Sequence, residues 1–65
     1  MEIRLNGEKI MIENATLLEV ILGTGFDKTS LVAELNCEVI KQENWQDTII
    51  QDGDQIELLS FVGGG

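Results

Sequence analysis

The chain has no histidine, no proline and a single cysteine, Cys37. Without histidine there is no imidazole metal site and no Ser/His or Cys/His nucleophile pair. One cysteine cannot form an intramolecular disulfide. A lone thiol and an N-terminus without signal character set the expectation of a reducing cytoplasm. No apolar run approaches the roughly 20 residues that a membrane-spanning helix needs. Basic residues are scarce too: four Lys and Arg stand against twelve Asp and Glu, a formal charge of −8. Such a surface is repelled by phosphate backbones and anionic lipids, so neither nucleic acid nor membrane is expected as a partner. A protein with a basic docking face fits better, although solubility alone also accounts for the charge. At 65 residues the chain is one small domain with no staple, expected to be modestly stable and monomeric on its own.

What is present is ordered punctuation. Met1, Ile3 and Leu5 alternate with Glu2 and Arg4, the period of a half-buried strand. Asn6-Gly7 follows, the strongest short hairpin signal, because a type I′ turn needs positive φ at both central residues. A two-residue loop pairs Leu5 with Glu8 and Ile3 with Ile10, and sets Arg4 against Lys9. Thr16-Leu17-Leu18-Glu19 fits a helix capping box, and Leu17, Leu18, Val20, Ile21 and Leu22 form a broad apolar face. Gly23 or Gly25 is expected to end that helix. Residues 31–35 read as a strand, Asn36-Cys37 as a turn and residues 38–40 as the returning strand. Gln42 to Trp45 reads as a helical turn that tucks the indole against the sheet. Ile49-Ile50 reads as a brief strand, residues 51–54 as a tight turn and Gln55 to Val62 as the last strand. Strands around one helix argue an α+β domain. If the last strand runs parallel beside the first, the arrangement is the β-grasp, a mixed sheet of four to five strands packed on one main helix. The expected division is a domain over 1–62 and a flexible glycine tail over 63–65.

In the last strand, Ile56, Leu58, Ser60 and Val62 fall on the helix side, and Glu57, Leu59 and Phe61 on the open side. Leu59 and Phe61 are therefore candidates for partner docking. Gly63, Gly64 and Gly65 then end the chain. At average glycine usage, three in a row at a terminus arise by chance in roughly 0.03% of chains. Four residues from Val62 extend to about 13 Å and carry almost no side-chain bulk, so they can thread a slot that rejects a β-carbon. A terminal carboxylate becomes reactive when it attacks the α-phosphate of ATP, forming an acyl adenylate from which AMP leaves readily. Sulfur at the sulfide or persulfide level then gives a thiocarboxylate, and a cysteine thiol gives a thioester. In either case the chain is a handle for the enzymes that act on it. No catalytic residue is assigned, and the two acids of Asp52-Gly53-Asp54 are too few for a metal site.

With these features together, the chain resembles the sulfur carriers of thiamine biosynthesis, the ThiS family, within the ubiquitin-like β-grasp superfamily. The resemblance rests on Asn6-Gly7, the Thr16-Leu17-Leu18-Glu19 helix start, "AELN" with "EVI" returning, Trp45, and above all "QDGDQIELLSFVGGG". It implies that the chain is no enzyme and binds no cofactor of its own. It also implies that a ThiF-type enzyme adenylates Gly65 with ATP, a sulfur-transfer protein makes the thiocarboxylate, and thiazole synthase accepts the sulfur. Gly64 is the required neighbour and Gly63 the less certain one. One departure stands out: the family's usual Asn-Gly-Glu turn is Asn36-Cys37-Glu38 here. Three other functions stay open on the sequence: a MoaD-like or other-pathway carrier, a ubiquitin-like modifier joined to lysines through Gly65, and an interaction module with an idle tail.

Overall fold

The Asn6-Gly7 turn sets the register of the first hairpin. In the computed structural model, which describes residues 1–13 and 15–61, Asn6 and Gly7 have φ of 51° and 85°. These are the two positive values of a type I′ turn. Strands β1 (Glu2–Leu5) and β2 (Glu8–Met11) pair as expected, Leu5 with Glu8 and Ile3 with Ile10. Arg4 does face Lys9. The Lys9 Nζ lies 3.8 Å from Glu2 Oε2, which offsets part of that repulsion.

Helix α1 (Leu17–Thr24) starts with a complete capping box. Thr16 Oγ1 accepts from the Glu19 amide at 3.2 Å, and Glu19 Oε1 accepts from the Thr16 amide at 2.9 Å. Gly25, at φ 82°, ends the helix, and Gly23 lies inside it. Leu17, Val20 and Ile21 are buried. Leu22, expected on that apolar face, is instead exposed, because the helix has only two turns and its contact stripe is narrower than five residues.

Strands β3 (Leu31–Leu35) and β4 (Glu38–Ile40) are joined by the Asn36-Cys37 turn. Gln42–Asp47 forms a 3₁₀ helix that buries Trp45, with 1% of its surface exposed, and its indole N–H donates to the Ile40 carbonyl at 2.8 Å. Ile49-Ile50 is not a strand of the sheet. Ile49 makes one isolated bridge to Thr16, and the Ile50 amide donates to the Ala15 carbonyl. Only one pair fits there, because α1 begins at the next residue, Leu17. Strand β5 (Gln55–Ser60) is shorter than expected: Phe61 follows it, and Val62 lies outside the described residues. The boundary proposed at 62–63 falls there too.

The sheet order is β2-β1-β5-β3-β4. β5 runs parallel to β1 and antiparallel to β3, at the sheet centre. One face packs on α1 and the Trp45 turn through Ile3, Ala33, Ile56 and Leu58. Among the described residues, the five strands and one α-helix match the expected mixed sheet packed on one main helix. Among the described residues, no helix is long and apolar enough to cross a membrane.

Cys37 occupies the second turn position at φ 71°, with Asn36 at φ 51°. A side chain there costs on the order of 1 kcal/mol that glycine avoids. Cys37→Gly is therefore expected to raise the thermal midpoint by about 4–8 °C without altering binding. A calorimetric scan that shows no rise refutes this.

Candidate functional site

The candidate site is the end of β5, where the chain leaves the sheet. Its backbone is held on both flanks by the asparagines of the two hairpin turns. Asn6 Oδ1 accepts from the Leu58 amide at 2.7 Å, where β1 has already ended. Asn36 Oδ1 accepts from the Gln55 amide at 2.9 Å, and the Asn36 amide donates to the Gln55 carbonyl at 2.7 Å. Each asparagine thus uses left-handed backbone for its own turn and its side chain to fix β5. Asp54 completes the lower end: its carboxylate accepts from Asn36 Nδ2 at 3.0 Å and from the Gln51 amide at 2.7 Å. Asp52 Oδ1 accepts from the Glu2 amide. The two acids are engaged in turn chemistry.

The upper end is pinned to the turn before β3. Leu31 pairs with Ser60, and one residue on the Phe61 amide donates to the Ser30 carbonyl at 3.0 Å. Ser30 closes a short 3₁₀ turn, Lys28–Ser30, capped by Asp27. The Thr29 hydroxyl, and then its amide, donate to the Asp27 carboxylate and hold its pKa below the ordinary value.

Alternation along β5 sorts four of its side chains as expected; Ser60, expected on the helix side, is exposed at the strand end, and Val62 lies outside the described residues. Ile56 and Leu58 are buried, whereas Leu59 and Phe61 are each 52% exposed. Trp45 lies in the helix-side core and does not cover them. Leu59 stands opposite Val32 on the open face. In the next row Glu57 stands opposite Glu34, and Val39 flanks Glu34 on β4. Two carboxylates facing each other across a ladder destabilise it unless a cation approaches. The face that carries Leu59 is thus apolar toward the chain exit and acidic behind it. Gly63, Gly64 and Gly65 lie outside the described residues. Sequence reasoning missed Asn6, Asn36 and Ser30 as residues that hold the backbone of β5 and Phe61. The Asn-x turns signalled their backbone shape, but nothing local signalled contacts to β5. Cys37 is an exposed free thiol at the opposite end of β3 from Leu31.

The ThiS family model matches residues 3–65, from β1 through the last glycine. A thiazole synthase of Magnetococcus marinus is 38% identical over 66 aligned positions. These cover all of this chain and 20% of that protein, so the chain spans a fifth of that relative's length. The sulfur carrier protein ThiS of Bacillus subtilis is 28% identical over 97% of this chain and 98% of its own. The crystal structure of the thiamine biosynthesis protein ThiS from Geobacter metallireducens superposes with a TM-score of 0.85 at 30% identity, covering 100% of both chains. With a match across nearly its whole length, the β-grasp topology and the same fold in a solved relative, the chain belongs to the ThiS family.

Proposed function

We propose that this chain carries sulfur on its C-terminal glycine for assembly of the thiazole of thiamine. The Gly65 carboxylate attacks the α-phosphate of ATP within a ThiF-type enzyme and pyrophosphate leaves. The terminal sulfur of a cysteine persulfide on a sulfur-transfer protein attacks the acyl carbon and AMP leaves. A second thiol then attacks the cysteine sulfur of the resulting acyl disulfide, which releases the thiocarboxylate and leaves a disulfide between the two thiols. Thiazole synthase then takes the sulfur. A relative described as a thiazole synthase, five times this chain's length, supports that choice of acceptor. The observation that carries the proposal is the family match extending through Gly65. The chain contributes the carboxylate that reacts, a slender lead and a docking face, and its partners contribute the catalytic groups.

The test is intact mass with C-terminal fragment sequencing after incubation with ATP, a sulfur source and a ThiF-type enzyme. Replacing OH by SH adds about 16 Da, as does one oxygen on Met1, Met11 or Cys37, so the fragments must place the gain. A gain on Gly65 is expected. An unmodified Gly65, with an enzyme proven active on its own carrier, overturns the proposal.

Docking is assigned to Leu59 and Phe61. Leu59→Asp and Phe61→Ala are each expected to weaken binding to the adenylating enzyme by about 30-fold, the effect of losing a central anchor worth about 2 kcal/mol. Both side chains lie outside the core. Titration calorimetry reads the loss, and unchanged affinity in both variants refutes the assignment.

A further inference from the structure

The two flanks of β5 are unequal. β3 accompanies it from Ile56 to Ser60, whereas β1 accompanies only Gln55 and Ile56 and then turns away at Asn6. Backbone polar groups alternate sides along a strand. The Asn6 amide donates to the Ile56 carbonyl, so the even-numbered residues of β5 face the β1 side. The Phe61 amide donates to Ser30, so the odd-numbered residues face β3. On the β1 side, Asn6 Oδ1 satisfies the Leu58 amide. Beyond it, the Leu58 carbonyl and both the N–H and C=O of Ser60 have no strand beside them among the described residues. A strand in the middle of the sheet therefore ends as an open edge, immediately before the glycine end.

We infer that this short edge, the Leu58 carbonyl and Ser60 N–H and C=O, accepts an extended backbone segment of the enzyme that activates the tail. The segment occupies the line that β1 vacates. Main-chain pairing of this kind gives affinity while side-chain contacts set the choice of partner. Two features name the segment's chemistry. Leu59, on the open face, calls for an apolar side chain beside it. Glu57, paired with Glu34 one row back, calls for a lysine or arginine, in keeping with the chain's charge of −8. With partners on both flanks, Ser60 is fixed in direction, and the following residues enter the enzyme along the strand axis. The inference rests on the carrier reading and adds the contact that aims the tail.

Amide hydrogen exchange on the full 15N-labelled chain tests it, free and with the ThiF-type adenylating enzyme. In the free chain the Ser60 amide is expected to exchange at least 10-fold faster than those of Leu59 and Phe61. In the complex it is expected to slow by at least 10-fold. Ser60→Pro removes that donor at a position where the fold does not use it, and is expected to weaken binding about 10-fold. A Ser60 amide already protected in the free chain overturns the inference. So does one still fast in a complex that forms through Leu59 and Phe61, and that outcome leaves the carrier reading intact. Absence of any complex overturns both.

Discussion

Deleting Gly64 and Gly65 is expected to reduce sulfur transfer to background while the thermal midpoint stays within about 4 °C of the parent. The chain would then end on Gly63, and its carboxylate would stop roughly 7 Å short of the position Gly65 reaches. A misplacement of even about 1 Å at a reacting centre can cost 100-fold. In the proposed reaction the acyl carbon is itself the reacting atom, so no residual positioning can compensate. Among the described residues, β5 ends at Ser60 and the last backbone anchor is the Phe61 amide on the Ser30 carbonyl, so the core and the sheet ladder described above keep all their contacts. The measurement pairs a thiocarboxylate assay with a calorimetric scan. Activity above about one hundredth of the parent, with the fold intact, favours an interaction module with an idle tail. One residue added after Gly65 is the complementary control, because it buries the acceptor carbon in an internal peptide bond.

Trp45→Ala is expected to lower the midpoint by at least about 12 °C and to leave much of the chain unfolded at physiological temperature. Trp45 is the largest fully buried side chain, and truncating such a residue costs about 3–5 kcal/mol. A domain of this length has roughly 3–10 kcal/mol of stability in all. The midpoint falls by about 4–8 °C per kcal/mol at this size. The indole also closes the Ile40 carbonyl at the end of β4, so its removal loosens both the 3₁₀ turn and that edge strand. Trp45→Phe keeps most of the volume and loses the hydrogen bond, and is expected to cost far less. Thermal melts followed by circular dichroism distinguish the two variants. A fall below about 5 °C for Trp45→Ala would show that the core closes over the gap.

Much of the fold is legible in particular residues. Asn6-Gly7 dictates a two-residue turn, and the turn dictates register, so Ile3 meets Ile10. Thr16 and Glu19 announce the helix because the capping box is closed by residues three apart. The period of two in β5 separates Ile56 and Leu58 from Leu59 and Phe61 without any knowledge of neighbours. Ile49-Ile50 shows where such reasoning fails. Two β-branched residues favour extended backbone, but a ladder needs a partner, and only Ala15 and Thr16 lie alongside before the helix begins. Leu22 fails similarly: its hydrophobicity is local, while the width of the contact stripe belongs to the sheet beneath it.

The amino-acid sequence by itself determined the five strands and the main helix, the register of the first hairpin, and which of Ile56, Leu58, Leu59 and Phe61 face inward or outward. All of these rest on interactions between residues a few positions apart, or on the geometry of one strand. Only the tertiary structure decided that β5 lies between β1 and β3, that β1 stops short beside it, and that Glu34 faces Glu57. It also decided that Asn6 reaches Leu58 across 52 residues and that Asn36 reaches Gln55 across 19. Such contacts depend on which strands become neighbours. That choice is made by burying one shared apolar face, and no residue near Asn6 or Asn36 encodes it.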